Sequence, residues 1–192
     1  TMMEDFPDYL PNTYDGYYLY PEYKTSHLNP EYTRADEVIA GRESRVFKEA
    51  AEVIKAGKLG DKFHAISDAH AEMMIKVAEA IAFNTLGRFI LIVENNGAIA
   101  NMQDDAMVEV VCELGINGPR PMSVGNIPQF YLGLLVQQVS CEKLLVDAYY
   151  EHSYQKALEA FTLNRLINDA KVARKILDAL IEANKGMWPE LK

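Results

Sequence analysis

The chain has 192 residues, 49% of them hydrophobic, and a formal net charge of −9. This length is typical of one domain with a substantial core, and the acidic balance excludes nucleic acid as an expected partner, because phosphate backbones are repelled. No apolar run approaches the roughly 18 to 20 residues that span a bilayer, and no signal peptide is recognised, so we expect no membrane partner. Two cysteines at unrelated positions, Cys112 and Cys141, are typical of core residues in a reducing compartment, which predicts a cytoplasmic location.

The N-terminal stretch is acidic and aromatic. Asp15-Gly16 predicts a turn. Five tyrosines lie close together around it, namely Tyr14, Tyr17, Tyr18, Tyr20 and Tyr23. Composition alone favours packing or a subunit contact for this cluster, since tyrosine is enriched at interfaces.

A long helix is predicted from Arg34 to Ala56. Thr33 is its predicted N-cap, with Asp36 as a weak capping-box partner, and Gly57 ends it. Arg34 lies in the first turn, where a cation opposes the helix dipole. This position suits an arginine that binds an anion. On the residues alone, a solvated arginine is the favoured interpretation.

A second helix is predicted over 67–84. Asp68 and Glu72 share one face of it, whereas His70 lies off that face. The three side chains therefore do not form a metal site, and His70 is predicted to be structural or interfacial.

The central strands follow. The apolar run Ile90–Val93 predicts a strand buried on both faces, and Asn95-Asn96-Gly97 predicts a turn. Alternation between apolar residues and glutamates over Val108–Leu114 predicts a half-buried strand. Asp104 and Asp105 are interpreted as a loop or turn pair rather than metal ligands.

Three further helices complete the pattern. The first, Pro128–Glu151, is apolar over much of its circumference, which predicts deep burial or a subunit contact. A short helix opens at Ser153, and the last spans Asp169–Asn184. With no repeat or linker, we predict one compact unit of class α+β, mostly helical around a small mixed or antiparallel sheet.

The chain carries no complete catalytic pattern. It has no glycine-rich dinucleotide loop, phosphate loop, nucleophile elbow, H-E-x-x-H or C-x-x-C. Its residues therefore predict half of a site.

Three segments carry a family resemblance. VENNGAIANMQDDAMVEV, GNIPQFYLGLLVQQVSCEKLLVDAY and LDALIEANKGMWPELK resemble the C-terminal half of family 4 glycoside hydrolases, most closely the 6-phospho-α-glucosidases. The resemblance implies a lactate/malate dehydrogenase-like C-terminal domain. Residues 1–192 would be this single substrate-side domain, and the N-terminal Rossmann domain that binds NAD would be absent.

The same resemblance implies roles for two side chains. The segment LPNTY at 10–14 is similar to the one that carries the family's catalytic base, which makes Tyr14 the base. TRADE at 33–37 is similar to the segment whose arginine contacts the phosphorylated substrate, which gives Arg34 that role. NAD and Mn²⁺, or another divalent metal, would be bound by the absent half, so no cofactor or metal residue is expected in this chain.

The implied activity is hydrolysis of phosphorylated α-glucosides such as maltose 6'-phosphate, by oxidation at C3, deprotonation at C2 and elimination. The chain alone is expected to be inactive without its N-terminal half, and a homo-oligomer is expected. Two alternatives stay open. The chain could be a non-catalytic fragment or oligomerisation module, or it could belong to the 6-phospho-β-glucosidase or α-galactosidase branch.

Overall fold

A computed structural model describes residues 2–8, 12, 14–42, 46–58, 69–167 and 169–192. Within these ranges the chain forms nine α-helices and three β-strands. In chain order their bounds are α1 Met2–Asp5, α2 Asp15–Leu19, α3 Pro21–Ser26, α4 Arg34–Arg42, α5 Lys48–Ala56, α6 Ala69–Phe83, β1 Gly87–Glu94, β2 Met107–Gly115, β3 Gly118–Pro121, α7 Gln129–Glu151, α8 Tyr154–Leu163 and α9 Ala170–Ala183.

The predicted α+β class is confirmed, with about 56% helix and one antiparallel sheet in the order β1-β2-β3. The chain divides into two compact units. Unit 1 comprises Thr1–Pro21, Leu91–Val110 and Pro121–Lys192, and unit 2 comprises Glu22–Ile90 and Val111–Arg120. The single domain over 1–192 stays a prediction.

Strand β1 is confirmed at Ile90–Val93, but its predicted burial on both faces is wrong. Val93 is buried and Leu91 half-buried, whereas Ile90 and Ile92 are 57% and 68% exposed. Successive side chains of a strand point to opposite faces. Here the described residues cover only one of those faces.

Strand β2 has the predicted alternation, and a third strand follows it. Val108, Val110, Cys112 and Leu114 are all buried. Beyond β2 the chain turns at Gly118, whose φ is +87°, and returns as β3. The sequence pattern predicts two central strands and does not predict this third one. The two prolines of β3 are tolerated because it is an edge strand, where a missing N–H breaks no ladder on the outer side.

One buried amide organises the connection between β1 and β2. Asn95 is 0% exposed. Its Oδ1 accepts the N–H of Ile99 at 2.7 Å, and its Nδ2 lies 3.0 to 3.2 Å from the carbonyl oxygens of Ile99, Met102 and Gln103. Its own N–H donates to the carbonyl of Ala106 at 2.8 Å. The loop therefore folds around a single side chain whose donor and acceptor are both satisfied within the protein.

The predicted turn at Asn95-Asn96-Gly97 is confirmed, and a second asparagine extends it. Asn96 and Gly97 have φ values of +41° and +82°. Asn101 donates to the carbonyl of Ile127 at 2.8 Å and accepts its N–H at 3.0 Å. The loop is thereby joined to the segment that leads into α7.

The C-terminal helices of unit 1 pack around a buried cluster of two alanines and one leucine. Ala148 of α7, Ala157 of α8 and Leu177 of α9 form a buried cluster. The predicted helix starts at Ser153 and Asp169 are confirmed, and both residues are N-caps, because the Ser153 hydroxyl accepts the N–H of Lys156 and the Asp169 carboxylate accepts two N–H groups of the first turn of α9.

The buried thiols agree with their predicted core role. Cys112 and Cys141 are 0% and 5% exposed, and neither is in a disulfide. Burial raises the pKa of both thiols.

The helix predicted from Arg34 to Ala56 is confirmed at both ends. It begins as α4 at Arg34 and ends as α5 at Ala56, where Gly57 adopts a φ of +66°. Residues 43–45, in its middle, lie outside the described residues. The second predicted helix is found as α6, and its expected start at Ser67 also lies outside them.

Helix α7 is only partly buried within the described chain. Val139, Cys141 and Ala148 are buried, whereas Leu145, Val146 and Tyr149 are 48%, 54% and 57% exposed. The apolar circumference noted in the sequence is therefore still partly open. Among the described helices, none combines the length and apolar character that a membrane crossing requires.

The substitution Asn95→Ala is expected to lower the free energy of unfolding by about 2–4 kcal/mol, because it leaves a buried N–H and several carbonyls unpaired. Urea unfolding of the protein measures this loss. Asn96→Gly is the matched control, since Asn96 is exposed and glycine tolerates its positive φ. Equal effects of the two substitutions would contradict the role given to Asn95.

Candidate functional site

Tyr14 lies at the start of α2 with its side chain 70% exposed. Its backbone is helical, with φ −74° and ψ −22°, and its carbonyl accepts the N–H of Tyr17 at 2.9 Å. Its own N–H donates to Oδ1 of Asn12 at 2.9 Å. The phenol hydroxyl has no hydrogen-bond partner among the described residues, so the ring is positioned through its main chain. Leu10, Pro11 and Thr13 of the same segment lie outside the described residues.

Asp15-Gly16 is part of a short helix and not the isolated turn that the sequence indicated. The carboxylate of Asp15 accepts the N–H of Asn12 at 2.7 Å, and the N–H of Asp15 donates to the carbonyl of Asn12 at 3.0 Å. These two bonds close a turn just ahead of α2, whose N-cap, Tyr14, makes no side-chain cap bond. Gly16 is buried within that helix.

A cleft of about 170 Å³ lies beside α2 in unit 1. Arg165 borders it, and its Nε donates to the carbonyl of Tyr18 at 2.9 Å, which fastens α2 to the chain after α8. The other residues that line the cleft are Asp15, Tyr18, Leu19, Tyr131, Leu134, Leu135, Gln137 and Gln138. The segment that carries Tyr14 is therefore attached to the helical part of unit 1.

Tyr20 has a structural role. Its hydroxyl donates to the carboxylate of Asp5, and this hydrogen bond raises the pKa of Tyr20 to about 12. Phe6 packs edge-on against Tyr20 and stacks on Phe130 with ring centroids 5.1 Å apart. The packing predicted for the tyrosine cluster is thus found at Tyr20, whereas Tyr14 and Tyr23 are largely exposed.

Arg34 begins α4 immediately after its cap. The N–H and hydroxyl of Thr33 donate to the Asp36 carboxylate at 2.8 and 2.7 Å, and the N–H of Asp36 donates to the Thr33 hydroxyl at 3.3 Å. This is the predicted capping box. The side-chain hydrogen bond from Thr33 lowers the pKa of Asp36.

The guanidinium of Arg34 is exposed and paired within its own helix. Its Nη1 lies 2.5 Å from Oε2 of Glu37, and the two side chains are 77% and 57% exposed. An exposed pair of this kind contributes about 0–1 kcal/mol, so it opposes a change of partner only weakly. Glu37 also offsets the cation at the positive end of α4.

The two predicted site residues lie in different units, Tyr14 in unit 1 and Arg34 in unit 2. Sequence reasoning selected both of them but missed Asn12 and Asp15, which hold the backbone at Tyr14. The available signal was the residue types, because Asn and Asp side chains commonly hydrogen-bond to the backbone of nearby residues in turns.

The described residues contain no group of three or more His, Cys, Asp or Glu side chains that could hold a metal ion. Asp104 and Asp105 lie in a turn, as predicted. Asp105 pairs with Lys143 at 2.5 Å, which lowers the pKa of its carboxyl. His70 is exposed in the first turn of α6.

Comparison with known proteins identifies the family. Residues 1–167 match the family described as "Family 4 glycosyl hydrolase C-terminal domain". The maltose-6'-phosphate glucosidase of Fusobacterium mortiferum is 53% identical over 187 residues, which are 97% of this chain and 42% of that protein.

Two solved structures share the fold over the whole chain. A 6-phospho-α-glucosidase from gut microorganisms, in complex with NAD and Mn²⁺, is 84% identical with a TM-score of 0.93. A second, in complex with NAD and glucose 6-phosphate, is 49% identical with a TM-score of 0.90. The chain covers 43% of each of these proteins, so it spans less than half the length of its relatives. The chain belongs to family 4 of the glycosyl hydrolases and corresponds to that family's C-terminal domain.

Proposed function

We propose that this chain is the substrate-side part of an NAD- and Mn²⁺-dependent 6-phospho-α-glucosidase. The enzyme would hydrolyse phosphorylated α-glucosides such as maltose 6'-phosphate by oxidation at C3, deprotonation at C2 and elimination at C1. The observation that carries this proposal is the identity of 84% over the whole chain to a 6-phospho-α-glucosidase in complex with NAD and Mn²⁺.

Tyr14 is proposed as the base that removes the C2 proton. Its exposed phenol and constrained backbone support this role. A phenol is a weak base at neutral pH unless a nearby cation favours its ionised form. The proton transfer therefore requires a positively charged group close to the bound sugar.

Arg34 is proposed to bind the 6-phosphate of the sugar. A guanidinium can donate to two phosphate oxygens at once, which gives both affinity and orientation. The first turn of α4 adds backbone N–H groups that favour an anion. Because the pair with Glu37 is exposed, a phosphate dianion would displace that carboxylate at little cost.

The cofactors are proposed to bind outside this chain. The family resemblance assigns NAD and Mn²⁺ mainly to an N-terminal Rossmann domain, and residues 1–192 are proposed to be the single C-terminal domain that packs against it. The cytoplasmic location stays a prediction.

A homo-oligomer is also proposed. It is the basis of the second candidate function, that of a non-catalytic fragment or assembly module. Leu145, Val146 and Tyr149 leave an apolar side of α7 open within the described chain. The same observation favours a non-catalytic fragment or assembly module. The 6-phospho-β-glucosidase and α-galactosidase branches are less favoured, since the relatives described above act on 6-phospho-α-glucosides.

The chain mixed with a family 4 nucleotide-binding half, NAD and Mn²⁺ is expected to hydrolyse p-nitrophenyl-α-glucoside 6-phosphate, whereas the chain alone is not. Release of p-nitrophenol measures the rate. The matching β-glucoside 6-phosphate is the control for the branch. Activity of the chain alone would contradict an incomplete site, and no activity of the mixture would favour the assembly module.

Tyr14→Phe in the reconstituted enzyme is expected to lower kcat by about 10²–10⁴-fold, because it removes the group that accepts the proton. Circular dichroism should show an unchanged fold, since the side chain is exposed. Tyr23→Phe is the matched control, because Tyr23 is 64% exposed on α3. A full rate in Tyr14→Phe would remove Tyr14 from this role.

Arg34→Ala is expected to raise KM for the phosphorylated glucoside at least tenfold, because a charge-assisted contact of about 1.5–3 kcal/mol is lost. Arg42→Ala, at the other end of α4, removes an exposed arginine of the same helix and should leave KM unchanged. Steady-state kinetics on the phosphorylated and the plain glucoside measure the difference. An equal loss on both substrates would argue against phosphate binding.

A further inference from the structure

We infer that Asn12 and Asp15 are positioning residues for the phenol of Tyr14. This inference rests on the proposed function, because it gives the two residues a role only if Tyr14 is the base. The three residues form one hydrogen-bonded group, which we call the Asn12–Asp15 clasp.

The clasp consists of three hydrogen bonds around the backbone of Tyr14. Oδ1 of Asn12 accepts the N–H of Tyr14 at 2.9 Å. Oδ2 of Asp15 accepts the N–H of Asn12 at 2.7 Å, and the N–H of Asp15 donates to the carbonyl of Asn12 at 3.0 Å. Asn12 and Asp15 are thus bonded to each other, and Tyr14 lies between them in the chain, within the turn that their bonds close.

The clasp is anchored to the rest of unit 1 through α2. The carbonyl of Tyr14 accepts the N–H of Tyr17. The carbonyl of Tyr18, the residue after Tyr17, accepts the Nε–H of Arg165 at 2.9 Å. Gly16 is buried between these contacts. Movement of the backbone at Tyr14 therefore requires the loss of several hydrogen bonds at once.

This restraint matters because no hydrogen bond within the described ranges holds the phenol. The side chain is 70% exposed, and its hydroxyl has no hydrogen-bond partner within the described ranges. The position of the phenol then depends on the backbone at Tyr14 and on two side-chain torsions. A misplacement of about 1 Å can slow a proton transfer about 100-fold, and supporting hydrogen bonds are what keep a reacting group within about 0.5 Å of its productive place.

The test uses Asn12→Ala and Asp15→Ala in the enzyme reconstituted with a family 4 nucleotide-binding half. Each is expected to lower kcat by roughly 10- to 100-fold while KM for the phosphorylated glucoside changes less than about twofold. Asn12→Ser and Asp15→Asn keep an acceptor atom at each position and are expected to recover most of the rate. Unchanged kcat in both alanine variants would overturn the inference.

Asn29→Ala is the matched control. Asn29 is exposed, and its Oδ1 accepts the N–H of Glu31 at 3.0 Å. Asn12 makes the same kind of bond, because its Oδ1 also accepts the N–H of the residue two positions later in the chain. Its removal should leave kcat unchanged, because no reacting group lies in that turn. An equal loss of kcat in Asn29→Ala would also overturn the inference, because the effect would then be a general loss of turn stability.

Two further measurements separate positioning from folding. With substrate deuterated at C2, the isotope effect on kcat should rise in Asn12→Ala, because proton removal becomes the slow step. In the Tyr14→Phe background, Asn12→Ala should lower the residual rate by less than about twofold, because coupled residues are not additive. An unchanged isotope effect, or a full additional loss in the double variant, would contradict the clasp. A full rate in Tyr14→Phe alone would instead reject the proposed base, which distinguishes the two failures.

Discussion

The structure of unit 1 depends on the buried amide of Asn95. A polar side chain without water must satisfy its donor and acceptor internally, and Asn95 does so with the N–H of Ile99 and the carbonyls around it. Ala98, Ile99, Met102 and Ala106 of the loop from β1 to β2 are also buried, so these bonds and apolar packing together determine its course. Asn101 continues the same principle and joins the loop to the start of α7. Two asparagines therefore connect the sheet to the C-terminal helices.

The two proposed site residues both lie beside local bonds between side chains and backbone. Thr33 and Asp36 cap α4 and place Arg34 in its first turn, while Asn12 and Asp15 close a turn around the backbone of Tyr14 just ahead of α2. In each case a side chain that faces solvent is attached to a backbone that cannot move freely. Exposed groups with fixed backbones suit a site that is completed by another part of a protein, because the partner meets a defined arrangement with little loss of conformational entropy.

Several apolar side chains stay exposed within the described chain. Ile90 and Ile92 of β1 and the open side of α7 are the clearest cases, and Ile54 of α5 is 81% exposed. The chain spans 43% of the related solved structures, so more than half of their length has no counterpart here. Covering such surfaces lowers the free energy by about 25 cal/mol for each Å² of apolar area removed from water. The exposed faces are thus the places where a further domain or another copy would gain most.

The sequence by itself determined the features that a few neighbouring residues encode. The alternation of β2, the ends of the helix from Arg34 to Ala56 and the helix starts at Ser153 and Asp169 were all predicted, because helix ends and periodicity depend on neighbouring residues. The matched segments likewise placed the chain in its family and singled out Tyr14 and Arg34. Only the tertiary structure decided which face of β1 is covered, that α2 replaces a turn, and that Asn95 is buried. These depend on residues that meet through folding, such as Arg165 at the carbonyl of Tyr18, and no local pattern contains that information.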